Sequence, residues 1–190
     1  LMDGPLTSGG GKMNAYFGPM RLGPDGFYHL AWIWRDHGVC ESNHDISYAR
    51  SKDLIHWQAG SGRPLTLPIT LAKADVVDPV PVNGGAINGN VAVGFDSRKR
   101  VVISYIKYDE KGFTQVYNAR LEQGQWKIYK ASSWDYRWAF QGGGSIQFEI
   151  HVAGVSVAGD GKLTQSYGHA KYGNGKLILD EATLKLIEDT

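Results

Sequence analysis

The chain has 190 residues, with 20 Lys and Arg against 19 Asp and Glu and a net charge of +1, and no block of like charge marks a footprint for nucleic acid or an anionic membrane. No apolar run is long enough to cross a bilayer, and one cysteine, Cys40, excludes an internal disulfide. Twenty-five glycines with six Trp, ten Tyr and six Phe are the composition of short strands and tight turns rather than of a helical bundle.

The first dozen residues, with Gly4, Pro5 and Gly9 to Gly11, read as a loop entered in mid-protein, so any signal peptide is expected upstream of this segment. Asn14 to Leu22 reads as a first strand, and Gly23-Pro24-Asp25-Gly26 as a turn. Phe27 to Trp34 alternates, with Tyr28, Leu30, Trp32 and Trp34 on one face and His29, Ala31 and Ile33 on the other, as in a strand packed on both sides. A loop follows, crowded with Arg35, Asp36, His37, Cys40, Asn43, His44 and Asp45. Asp45 to Ser51 resumes strand character, and Ile55 to Trp57 closes the unit. Residues 59–89 read as a long irregular loop.

The pattern then repeats. Gly89 to Phe95, Arg100 to Lys107 and Thr114 to Leu121 are strands, and a third copy occupies Ser145 to Val157 and Leu163 to Ala170 before a Gly173-Asn174-Gly175 turn signal. The turn aspartates 25, 96 and 160 lie 71 and 64 residues apart. Four strands with long loops at that spacing make one propeller blade, so the chain is expected to be all-β, a single partial propeller domain over 1–190 with blades at roughly 14–58, 89–127 and 145–180. About three blades cannot close a ring of four to eight. A longer chain supplying the remaining blades is therefore expected, and a compact β-sandwich is the structural alternative.

Ser51-x-Asp53 followed by Trp57 resembles the Asp-box of BNR repeats, although Leu54-Ile55 stand where that turn usually has glycine. The runs Asn43-His44-Asp45-Ile-Ser-Tyr-Ala-Arg-Ser, Ile103-Ser-Tyr-Ile-Lys-Tyr-Asp, Tyr117-Asn-Ala-Arg, Trp134-Asp-Tyr-Arg-Trp and Gly142-Gly-Gly-Ser-Ile extend the likeness. Together they resemble the BNR-repeat-containing propellers that include ulvan lyases and related rhamnose- and glucuronate-cleaving enzymes. The resemblance implies a seven-bladed ring, an acidic polysaccharide or oligosaccharide as partner, and a secreted or periplasmic location. In many relatives a histidine stands where this chain has Ile106, which leaves the proton-transfer role either moved or lost.

A lyase acting beside a uronic acid needs a cation to neutralise the carboxylate, a base for the C5 proton and an acid for the oxygen leaving C4. On this reading His44 is the candidate base, with Tyr108 and Tyr105 as partner acid or base and Arg137 as carboxylate clamp. Arg35, Asn43, Lys107, Arg120, Tyr136 and Trp138 are the substrate-binding candidates, the aromatic pair flanking Arg137 as a sugar platform. His29, in mid-strand among aromatics, is expected to be buried and satisfied. No cofactor or catalytic metal is required. His37-x-x-Cys40-x-x-x-His44 has a zinc-like spacing without a fourth ligand, so a structural zinc, or calcium, is the one metal role left open. Gln141 to Ser145 lacks the lysine of a phosphate loop and reads as a tight crossing between blades. A hydrolase of the same fold, rhamnosidase- or sialidase-like, and a propeller that binds glycan without cleaving it are the alternative functions.

Overall fold

The computed structural model describes residues 4–190, so the first three residues of the entry loop lie outside the described part. Fifteen strands form three antiparallel sheets in chain order. The first contains β1 (Asn14–Phe17), β2 (Arg21–Leu22), β3 (Tyr28–Arg35), β4 (Asn43–Ser51), β5 (Trp57–Gln58) and β6 (Asp75–Asp78). Its order is β1-β3-β4-β5, with β2 also on β3 and β6 also on β4. The second is the simple meander of β7 (Val91–Phe95), β8 (Val101–Tyr108), β9 (Thr114–Glu122) and β10 (Gln125–Lys130). The third holds β11 (Ile150–Val152), β12 (Ser156–Gly159), β13 (Lys162–His169), β14 (Gly173–Asp180) and β15 (Leu186–Asp189). Two 3-10 turns, Cys40–Ser42 and Leu71–Lys73, are the only helical pieces among the described residues.

The three sheets stack as successive blades of a partial propeller: β3 and β8 are apolar on both faces, and β13 buries one face, with Leu163 and Tyr167, against the second sheet. On β8, Ile103 and Tyr105 pack toward the first sheet against Ile33, Ile46 and Tyr48. Val102 and Ile106 pack toward the third, against Ile150, Leu163 and Leu179. The alternation of β3 is as expected: Leu30, Trp32 and Trp34 form a cluster on the outer flank, while Ala31 and Ile33 face the second sheet. His29 is buried, with Nδ1 at 2.6 Å from the Tyr48 hydroxyl and Nε2 at 2.9 Å from Asp25 Oδ1. Burial lowers its pKa more than Asp25 raises it.

The Asp-box likeness is geometrically real. Ser51 Oγ accepts from the Leu54 amide at 2.9 Å, Asp53 Oδ1 accepts from the His56 amide at 2.8 Å, and Trp57 is buried below. Leu54 takes φ 63°, the left-handed conformation that the missing glycine would have adopted without strain. Four expectations need correction: Asn14 to Leu22 is two strands, β1 and β2, parted at 18–20, and Ser145 to Val157 is strand only in β11 and the start of β12. Residues 59–89 are not all irregular, since β6 lies among them and pairs with β4 through Ile46↔Asp78. The third hairpin turns before Gly173, which is already the first residue of β14.

Each blade has two unlike ends. At the turn end sit the short links β7–β8 and β12–β13 and the links β4–β5, β9–β10 and β14–β15. At the loop end sit 36–42, 109–113 and 170–172, together with the connectors 79–90 and 131–149 that carry the chain from sheet to sheet.

Candidate functional site

The loop end of the first two blades carries a cleft of mixed charge, in which Lys107 and Arg137 stand among Glu41, Asp78, Asp109 and Glu110. Strand β8 runs toward this end, so its last two residues, Lys107 and Tyr108, emerge there on opposite faces. Arg137 comes from the connector 131–149 and sits over the Tyr108 ring, its guanidinium carbon 3.8 Å from the ring centroid. Its Nη1 donates to the Gly112 carbonyl at 2.8 Å, leaving the rest of the exposed fork toward solvent. Asn83, Tyr108 and Arg137 are common to two adjoining hollows, one extended by Glu41, Phe140 and Gln141, the other by Asp78, Lys107 and Asp109. The Tyr108 hydroxyl donates to the Trp138 carbonyl at 2.7 Å. Burial raises its pKa and Arg137 only partly offsets this, so the phenol keeps its proton.

Lys107 reaches Asp78 Oδ2 at 2.6 Å and lies 4.6 Å from the centroid of Tyr117. Tyr105, the candidate two residues earlier, donates to the same Asp78 oxygen at 2.6 Å. Its ring is wholly buried, and burial with the Asp78 charge drives its pKa well up. It therefore cannot touch a glycan, and its role is to anchor Asp78.

A second hollow opens beside Arg35, Asn88, Ser145 and Phe148. Arg35 lies 4.6 Å from the centroid of Tyr16, and its Nε donates to the His37 carbonyl at 2.9 Å. A clasp separates this hollow from the cleft: the Cys40 amide donates to the Gly142 carbonyl at 2.8 Å, and the Gly142 amide to Glu41 Oε2 at 2.8 Å. The glycine run thus ties the connector back to the first blade. Gly142 and Gly144 there take φ 90° and 77°.

His44 is placed differently from expectation. Asp45, at φ 42°, makes a bulge opposite Ile33 and Trp34, so that His44 pairs with Trp34 on the outer flank of the first sheet, away from Tyr108 and Arg137. Its Nδ1 is 2.7 Å from Asp45 Oδ2 and its Nε2 3.0 Å from Asp36 Oδ1. Burial alone would lower its pKa, but the two carboxylates together raise it. The imidazole is therefore held as a cation with both nitrogens occupied. The zinc-like spacing does not converge, because Cys40 Sγ faces Glu41 at 3.8 Å while His44 is taken by the two aspartates. Among the described residues no three His, Cys, Asp or Glu side chains gather as a ligand set.

Three further candidates are structural. Arg120 lies near the end of β9, at the turn end, and is 2% exposed. Its fork is spent on Glu122 at 2.7 Å and on the carbonyls of Glu181 and Ala182. Trp138 is 3% exposed and packs on Phe140 and Phe148. Asn43 is buried, donating to the Cys40 carbonyl at 2.5 Å and to Asn88 Oδ1 at 3.2 Å. Tyr136 stays partly exposed at the loop end, its hydroxyl donating to Glu149 Oε2 at 2.5 Å. Ile106 is fully buried between the second and third sheets, so the place of the relatives' histidine is filled by core. Asp78, Glu41, Asn83 and Asn88 line the hollows without any motif that marks them.

Three blades, with a tyrosine-floored cleft at their loop end, define a propeller of the kind that mounts its site on inter-strand loops. The chain belongs to the BNR repeat-containing family, whose sequence pattern matches residues 1–134. Two solved structures of a polysaccharide lyase, a PL25 ulvan lyase, share the fold, one of them bound to -[GlcA(1-4)Rha3S]-. Each aligns with a TM-score of 0.65 over 94% of this chain and 42% of its own, at 14% identity. The chain thus spans less than half the length of those lyases. No curated protein matches it in sequence.

Proposed function

We propose that this protein is a carbohydrate-active propeller that takes polysaccharides containing uronic acid, outside the cytoplasm, and cleaves them as a lyase by β-elimination. The observation that carries the reading is the loop-end cleft in which Lys107 and Arg137 flank Tyr108. Lys107, paired with Asp78, and the exposed Arg137 fork stand in a hollow shared with Asp109 and Glu110, and these two cations suit a sugar carboxylate, whose neutralisation makes the adjacent C5 proton removable. The fork of Arg137, over Tyr108, is the bidentate partner, and Lys107 a point charge beside it. Tyr108, which keeps its proton, suits the acid that delivers it to the oxygen leaving C4. His44, on the outer flank of the first sheet with both nitrogens on carboxylates, does not reach a sugar bound here, and the acceptors for the C5 proton that share the hollow are the carboxylates of Asp109 and Glu110.

One observation favours binding without turnover: at rest both His44 nitrogens and the Tyr108 hydroxyl are engaged within the protein. The test is to incubate the protein with ulvan and with glucuronate-rich gums and to follow the absorbance of an unsaturated uronate. A growing chromophore supports the lyase. New reducing ends without a chromophore would mean hydrolysis, and retention of the glycan with neither would leave a binding module.

A further inference from the structure

We propose that Asp78 is a positioning residue that holds the Lys107 ammonium at the cleft, where it meets the substrate carboxylate; this rests on the uronate reading above. Asp78 ends β6, an edge strand of the first blade, whereas Lys107 and Tyr105 are on β8 of the second. One oxygen, Oδ2, takes both the Tyr105 hydroxyl and Lys107 Nζ at 2.6 Å. The side chain of Asp78 is 6% exposed and that of Lys107 21%, so the carboxylate lies below and the ammonium at the rim. An ammonium has three donors. Asp78 takes one and is the acceptor that Lys107 meets among the described residues, while the Tyr117 ring covers another side at 4.6 Å. What remains points into a hollow that also holds Asp109, Glu110 and Arg137.

A tie between blades alone would not need a flexible lysine, because Tyr105 already supplies a neutral donor from the same strand and face. The second donor instead fixes one long side chain in place before any ligand arrives, which removes part of the ordering cost of binding. Asp78 touches no glycan in this scheme and acts through Lys107.

The experiment compares binding of a glucuronate-containing oligosaccharide and of a neutral one by the wild type, Asp78→Asn, Asp78→Glu, Lys107→Met and the Asp78→Asn/Lys107→Met double variant, with a thermal midpoint for each. Asp78→Asn is expected to weaken acidic-glycan binding about tenfold, the scale of one charge-assisted hydrogen bond, and to leave neutral-glycan binding alone. Asp78→Glu should recover part of the loss, and the double variant should bind no worse than Lys107→Met. Where turnover is measurable, the change should fall on KM rather than kcat. If Asp78→Asn lowers the thermal midpoint while binding the acidic glycan as the wild type does, Asp78 is only a tie and the proposal is overturned. If Asp78→Asn does not fold, unchanged acidic-glycan binding by Lys107→Met overturns it equally. A wild type that shows no preference for the acidic glycan would instead overturn the uronate reading, and this proposal with it.

Discussion

Replacing Arg120 by Met separates a structural arginine from a functional one. The side chain is 2% exposed, and methionine keeps most of its apolar stem while removing the fork. Two carbonyls, of Glu181 and Ala182 in the third blade, then lose their donor. Each orphaned group costs about 1–3 kcal/mol where water cannot replace the donor. Glu122 loses its partner too, but its side chain is 25% exposed and keeps the Tyr129 hydroxyl at 2.8 Å, so most of that loss is screened. The total is about 3–5 kcal/mol, the usual result of breaking a buried charged pair from one side. For a chain of this size that lowers the thermal midpoint by roughly 6–20 °C. Differential scanning calorimetry measures the shift, and titration with an acidic oligosaccharide should show unchanged affinity, since Arg120 is at the turn end. A midpoint within about a degree of wild type, together with lost affinity, would refute the reasoning and restore Arg120 as a substrate-binding residue.

Arg137→Ala is expected to do the opposite, leaving the thermal midpoint nearly unchanged, as for other exposed substitutions, and weakening the acidic glycan in a binding titration. Ser51→Ala removes the buried acceptor of the Leu54 and Asp53 amides and should cost about 1–2 kcal/mol in urea unfolding with no effect on glycan binding; equal stability would mean that the turn does not need its cap. His44 has a folded-state pKa above the ordinary 6.5. Its two ion pairs therefore contribute stability that is complete below the unfolded value and lost as pH rises through the folded one. The stability difference between wild type and His44→Asn should be fully present below about pH 6 and shrink as pH rises above the ordinary histidine value of 6.5, and a flat difference would sink the ion-pair account. Burial lowers the pKa of His29 and His169, giving the reverse slope, which the comparison cancels.

The strands and their sidedness were legible because they rest on period-two alternation that the core obeys. Trp32 and Ile33 lie on opposite faces of β3, as their order in the sequence requires. The Asp-box was legible because Ser51, Asp53 and Trp57 act within one turn. Strand β6 was hidden, since four residues, Asp-Val-Val-Asp, followed by Pro79 and Pro81 carry too little pattern to outweigh the surrounding loop. His44 was misplaced because alternation carried through Asp45 ignores its bulge, and an aspartate in the left-handed region leaves no mark beyond its tolerance for it. For Arg120 the information was present. It lies near the far end of a strand that starts at the loop end, so its position along β9 already set it on the other side of the blade from Tyr108.

The clasp bears on the order in which the molecule assembles. Within a blade, Trp34 donates to Ser47 across 13 residues, whereas Gly142 and Glu41 are 101 apart. Loop-closure entropy rises by about 0.6 kcal/mol for each doubling, so closing the longer loop from the open chain costs about 2 kcal/mol more for one hydrogen bond. The clasp therefore closes only after the three sheets have docked and shortened the path between its halves. The wall between the cleft and the Arg35 hollow is the last part of the site to form on refolding. Pulse-labelled hydrogen exchange should find the Cys40 and Gly142 amides protected later than those in the middle of β8 and β9.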